Sequence, residues 1–220
     1  MSALRFHTIV FDLDGTLADT APDIAAALNH ALHLLSRRTL SLDEVRGMIG
    51  HGVRALLHSA LVATGGADDA AMALGYPALT SFYDAHLCVH TRPYPGVTDA
   101  LDALAGQGIT LAVCTNKLEQ PSRCLIDALG WHGRFAAIVG GDTLAVTKPD
   151  PAMLRLAVER AGGGPAAMIG DSIVDVQTAR AAGLPCVAVS FGFADRPADQ
   201  LGADAVIDSF DALLATLARL

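Results

Sequence analysis

Short, almost uninterrupted apolar runs recur along this chain, each leading into a longer stretch with helical spacing, and this alternation limits the fold more than any other feature. The runs are TIVF at 8–11, ITLAVC at 109–114, AAIVG at 136–140, AAMIG at 166–170, PCVAVS at 185–190 and AVI at 205–207. A strand with one wet face alternates apolar and polar residues, so a continuous apolar run needs cover on both faces. Helical periodicity at 97–107, 119–129 and 151–161 supplies that cover. The expected fold class is α/β, a doubly wound parallel sheet joined by crossover helices. Hydrophobic residues at 52% against 17% charged provide the core such a sheet must bury and argue against disorder. A length of 220 residues suits one large domain or a core with one inserted lobe.

One connection breaks the rhythm, because residues 12–108 separate the first strand from the second. Within that gap lie only helical patterns: APDIAAALNHALHLL, SLDEVRGMI, GVRALLHSALVAT and DAAMALGYPALTSFYDAHL. Ser41 and Glu44 have the spacing of a capping box, which starts a helix there. TRPYPGV at 91–97, with two prolines and a glycine, reads as the return linker. The division expected is an α/β core from residues 1–18 and 91–220 and an all-helical inserted lobe from residues 19–90.

Composition narrows the partners. Fifteen basic against 23 acidic residues give a formal net charge of −8, which works against general affinity for nucleic acid or anionic membrane. No run approaches the length that crosses a bilayer, and the N-terminal stretch lacks the pattern of a signal peptide. Cys88, Cys114, Cys124 and Cys186 form no C-x-x-C pair and sit in apolar segments, as buried thiols do in a reducing compartment. A cytoplasmic protein, monomeric or homodimeric, is expected. An acidic chain that handles anions needs a local correction, such as a metal ion.

Ligands of an open parallel sheet bind at the carboxyl ends of its strands. Those ends carry Asp12 and Asp14 after the first strand, Thr115 and Asn116 after the second, Lys148 after the third, and Asp171 with Asp175 after the fourth. Four carboxylates in one crevice repel each other unless a cation holds them, and oxygen ligands select a hard divalent ion, Mg²⁺ first among them. Thr115, Asn116 and Lys148 are donors suited to phosphoryl oxygens. Asp12 and Asp14, two apart at the end of an extended segment, share a face. One such carboxylate can attack phosphorus while its neighbour serves as acid and then base. Gly15 allows an immediate turn, and Thr16 either fixes that turn or donates to phosphate. The pattern is that of a metal and a phosphate.

DLDGT, the Thr-Asn of CTNK, the lysine of TKPDP and GDSIVD resemble, in order and spacing, the four motifs of the haloacid dehalogenase-like superfamily. The helical insertion after the first motif resembles that superfamily's first type of cap, and the likeness covers essentially the whole chain. It implies Asp12 as nucleophile and Asp14 as acid/base that also offers its backbone carbonyl to Mg²⁺. It implies Thr115 and Lys148 on the phosphoryl group, with Gly15 and Asn116 beside them, Asp171 as a metal ligand and Asp175 in support. The dehalogenase branch lacks the second aspartate of the first motif, so Asp14 points to a phosphatase.

GHGVRALL at 50–57 resembles the glycine-rich cap segment of phosphoglycolate phosphatases. Glycines ahead of a helix leave N–H groups free for an anion. Arg54, with His51 and Gly52, is therefore a candidate for the substrate's carboxylate. The six histidines of the lobe (His30, His33, His51, His58, His86 and His90) have no Cys or carboxylate partners at zinc spacing and read as ordinary histidines. The expected activity is Mg²⁺-dependent hydrolysis of a small phosphorylated metabolite, 2-phosphoglycolate first. Sugar-phosphate phosphatase, pyrophosphatase and β-phosphoglucomutase-like chemistry are the alternatives within the same fold. A phospho-aspartate receiver module is the alternative outside it, but its acid pair precedes the phosphorylated aspartate and it carries no such insertion.

Overall fold

In the computed structural model, which describes residues 4–194 and 196–220, the chain begins with β1 (Thr8–Phe11) and a two-residue strand β2 (Ala18–Asp19). Four helices follow: α1 (Ala21–Leu34), α2 (Leu42–Arg46), α3 (Val53–Ala63) and α4 (Asp69–Ala85). After β3 (Arg92–Pro93) come α5 (Val97–Gly106), β4 (Thr110–Cys114), α6 (Glu119–Ala128), β5 (Ala137–Val139), α7 (Pro151–Arg160) and β6 (Ala166–Gly170). The chain finishes with α8 (Ile173–Ala182), β7 (Cys186–Val189), β8 (Ala205–Ile207) and α9 (Leu213–Leu217).

All six apolar runs join one parallel sheet, in the order β5-β4-β1-β6-β7-β8. Counted along the chain as strands of that sheet, the order is 3-2-1-4-5-6, the doubly wound arrangement. Successive side chains of a strand point to opposite faces. Ile9 and Phe11 accordingly join a cluster with Val113, Ile169, Leu101 and Phe210. Val10 joins Ala112, Met168, Leu154 and Ala179 on the other face. Both faces are dry, which is why the strands read as continuous apolar runs.

The helices α1–α4 enclose a third cluster, around Leu28, Leu32, Leu57, Leu61 and Leu79. The capping box forms: the Ser41 hydroxyl accepts from Glu44 N–H, and Glu44 accepts from Ser41 N–H. α2 stops at Arg46, short of the 41–49 pattern, because the next residue is a glycine, a poor helix former. Among the described residues, no helix is long and apolar enough to cross a membrane.

The return linker contains a strand the sequence did not signal. β3 pairs antiparallel with β2, Ala18 with Pro93 and Asp19 with Arg92. Two residues cannot display a period, so only the pairing reveals them. Asp23, buried in the first turn of α1, fastens the junction: it accepts from His90 N–H (3.0 Å), Thr91 N–H (2.8 Å) and the Thr91 hydroxyl (2.8 Å). The thiols divide. Cys114 and Cys186 are buried and Cys88 half-buried, but Cys124, on α6, is exposed, against the expectation for all four.

Candidate active site

β1 sits between β4 and β6, so the sheet reverses its winding where β1 ends. A crevice opens at such a reversal, outside the strand ends. Asp12 stands there, and its N–H still donates to Ile169 O (2.9 Å) as if the strand continued. The chain then turns sharply at Gly15, whose φ of 82° suits glycine. A Cβ on Gly15 would collide with the Asp171 carboxylate, and one on Gly192 would collide with the same side chain from the other side. The glycines are the space that lets Asp171 approach β1.

Asp12, Asp171 and Asp175 each place a carboxylate oxygen within 4.8 Å of the others, and all three are buried. Lys148 is buried among them, with Nζ 3.0 Å from Asp12 Oδ1 and 2.6 Å from Asp175 Oδ1. The remaining bonds orient the acids. Asp171 accepts from the Thr16 hydroxyl (3.1 Å) and Phe193 N–H (2.7 Å). Asp175 accepts from Ser172 N–H (3.0 Å) and the Ser172 hydroxyl (2.6 Å) as the third residue of the α8 capping box. Thr16 thus fixes an acid within the turn, and Asp175 lies in the cluster.

One ammonium cannot neutralise three carboxylates. Burial pushes the Asp12 carboxyl up to about 6, against the pull of Lys148 and with a further push from Asp175 and Asp14. Burial likewise raises Asp171 well above the carboxylate range, with Asp175 and Asp12 adding to it. Burial works against the charge of Lys148, but Asp12 and Asp175 outweigh it and hold the ammonium charged. Asp12 Oδ1 is buried without a hydrogen-bond partner, the Lys148 ammonium lying at ion-pair distance but off a hydrogen-bonding line. A buried orphan oxygen, excess negative charge and an all-oxygen donor set fit a hard divalent cation.

Asp14 lies outside this three-acid cluster. Its carboxylate receives Lys117 Nζ at 3.1 and 3.3 Å, and that ammonium lies 4.4 Å from the centre of the Tyr83 ring, which α4 brings over the strand ends. In the chain Lys117 directly follows Thr115 and Asn116. Its only signal is proximity to that motif. Thr115 is buried, its hydroxyl accepting from Lys117 N–H (3.3 Å). The Asn116 amide is occupied at both ends: Nδ2 donates to Gly50 O (2.9 Å) and Lys148 O (3.1 Å), while Oδ1 accepts from Lys148 N–H (2.8 Å). Its side chain therefore holds the Lys148 loop and the helical lobe and has no donor left for phosphate.

Above the acids lies a cavity of about 520 Å³, lined by Asp12, Asp14, Thr115, Asn116 and Lys117 from the strand ends. Ile24, Val53, Leu56, Leu79 and Tyr83 close it from the helical side. Gly52, the N-cap of α3, reaches this wall, but His51 and Arg54 do not line it. His51 is exposed, and the Arg54 guanidinium lies 5.7 Å from the Tyr76 ring centre on the lobe's surface. Arg54 is the second residue of α3, and its side chain lies off the cavity that Gly52 and Val53 line.

Residues 6–183 match the family model for haloacid dehalogenase-like hydrolases. The chain is 46% identical to the phosphoglycolate phosphatase of Caulobacter vibrioides over 94% of its length and 89% of the relative's. It superimposes on the crystal structure of a predicted phosphoglycolate phosphatase from Haemophilus somnus with a TM-score of 0.93 at 30% identity, covering 98% of this chain and 99% of the other. The structure of CbbY from Rhodobacter sphaeroides in complex with phosphate aligns with a TM-score of 0.83 at 27% identity, over 98% of this chain and 100% of that one.

Proposed function

Because this chain belongs to the haloacid dehalogenase-like hydrolase family, we propose that it is a cytoplasmic phosphomonoesterase whose preferred substrate is 2-phosphoglycolate. The observation that carries the reading is the orphan Asp12 oxygen beside Lys148, with the Asp14 carboxylate facing the same cavity.

Asp12 attacks phosphorus, and the bond to the ester oxygen breaks as Asp14 protonates that oxygen, releasing glycolate and leaving an aspartyl-phosphate. Asp14 then takes a proton from water, which attacks the same phosphorus and frees Asp12 and inorganic phosphate. Thr115 and Lys148 hold equatorial oxygens of the transferring group, Lys148 doing so while its ion pair keeps Asp12 ionised. Asn116 positions Lys148 through the backbone. Mg²⁺ is the cation expected among Asp12, Asp171 and the Asp14 carbonyl, with Asp175 beside it, and it would neutralise the charge gathered there. Residues 19–90 act as the cap that excludes bulk water during the first transfer.

The volume of the cavity, about 520 Å³, favours a second reading, since it lies in the range that accepts larger ligands such as sugar phosphates. A panel of phosphate esters, assayed with Mg²⁺ and with chelator, separates the two. The highest kcat/KM is expected for 2-phosphoglycolate, and equal values on sugar phosphates would reject that choice. Asp12→Asn should abolish phosphate release with the thermal unfolding midpoint retained; a surviving rate would remove Asp12 as nucleophile.

A further inference from the structure

The cavity wall is mostly apolar, with neutral polar side chains from Thr80, Thr115, Asn116 and Gln120. Its charged members among the described residues are Asp12, Asp14, Asp84, Asp142 and one cation, Lys117. A carboxylate entering such a space without a partner would meet the full cost of an unpaired buried charge, compounded by like-charge repulsion. Lys148 is engaged with Asp12 and Asp175 on the phosphoryl side of the site and does not line the cavity that would take the leaving group. The cation available to the leaving group is therefore Lys117.

Its position matches the stereochemistry of one substrate class. In a phosphorylated α-hydroxy acid the ester oxygen and the carboxylate share one carbon, so the two groups lie roughly 3 Å apart by bond geometry. Asp14 must approach that ester oxygen to protonate it, and Lys117 Nζ sits one hydrogen bond from Asp14, at 3.1 Å. A substrate placed for proton transfer thus has its carboxylate beside the ammonium. Nζ carries three donors, and its two contacts to Asp14 do not exhaust them. The Tyr83 ring under Nζ gives it a fixed seat contributed by the helical lobe.

We propose that Lys117 is the residue that recognises the carboxylate of the substrate, its ammonium shared between Asp14 and the bound phosphorylated α-hydroxy acid. This rests on the phosphatase reading and names the specificity determinant within it. Substrate charge is then read from the core, at the base of the cap, with Arg54 taking no part.

The test compares 2-phosphoglycolate with 2-hydroxyethyl phosphate, its counterpart lacking the carboxylate, in the wild type, Lys117→Met and Lys117→Arg. The ratio of kcat/KM values should fall roughly thirtyfold in Lys117→Met, the worth of one charge-assisted hydrogen bond, and largely survive in Lys117→Arg. A ratio within threefold of the wild type in Lys117→Met overturns the proposal whatever happens to the absolute rates, because the charge would then serve both substrates alike through Asp14. In the wild-type enzyme, which raises no question of folding, glycolate should inhibit about tenfold more tightly than neutral glycolamide; equal inhibition also overturns it. A wild type that does not prefer 2-phosphoglycolate over its counterpart lacking the carboxylate removes the phosphoglycolate reading itself. A preference that persists without the charge removes only the role of Lys117.

Discussion

Asp23→Ala tests whether the junction between the helical lobe and the sheet is held by one carboxylate. The side chain is 2% exposed and accepts from His90 N–H, Thr91 N–H and the Thr91 hydroxyl, where the returning chain meets the first turn of α1. Alanine leaves three donors without their acceptor. A buried donor left unpaired costs about 1–3 kcal/mol, so the sum is about 4 kcal/mol once water reaches the outermost of them. The favourable placement of an anion at a helix N-terminus is lost as well. In a protein of this size each kcal/mol moves the unfolding midpoint by about 2–4 °C, giving a fall of about 8–16 °C. Asp23→Asn keeps an acceptor but no charge and should lose about half as much, ~2 kcal/mol. Calorimetry and circular dichroism read both variants. A fall below 3 °C for Asp23→Ala, or equal losses in the two variants, would refute the reasoning.

Without a divalent cation the carboxyl of Asp12 titrates at about 6 in the folded protein rather than at 3.8, so the folded state binds the extra proton within that window. Stability of the cation-free protein therefore declines as pH rises through it. The gain in Tm on adding Mg²⁺ should accordingly grow from about pH 5 to about pH 7; a gain independent of pH would contradict the shared-acid cluster. Gly15→Ala forces a side chain into a φ of 82° and against the Asp171 carboxylate, so it should cost about 1–3 kcal/mol and most of the Mg²⁺ response. Unchanged Mg²⁺ stabilisation would show that the turn is not tight. Cys124, exposed on α6, should be alkylated first, while Cys114, pushed up to about 12 by burial foremost, reacts only on unfolding. Equal labelling of the two by mass spectrometry would count against the burial of Cys114.

The motif residues divide by what each needed from the fold. Asp12, Asp171 and Lys148 announced themselves because an acid at the end of a buried strand, or a lysine in the loop that follows one, lies where ligands of such a sheet bind. Asn116 occupies such a position too, yet its amide is consumed by the backbone of Lys148 and Gly50, residues 32 and 66 positions away. Lys117 faces Asp14 across 103 positions and takes its seat from a tyrosine of the helical lobe. Arg54 stood out in the sequence because a cation near glycines is a local signal, whereas the direction a helix turns its side chains relative to a cavity is not.

The sequence by itself determined the α/β class and the strand ends that carry the acids, because two-sided burial writes itself into consecutive residues. The tertiary structure alone decided which donors meet which acids. Placing β1 between β4 and β6 carries Asp12, Lys148 and Asp175 together and leaves Asp14 to Lys117. Hydrogen bonds and ion pairs act over a few ångströms of space, and no spacing along the chain encodes a partner that another strand or the lobe must bring.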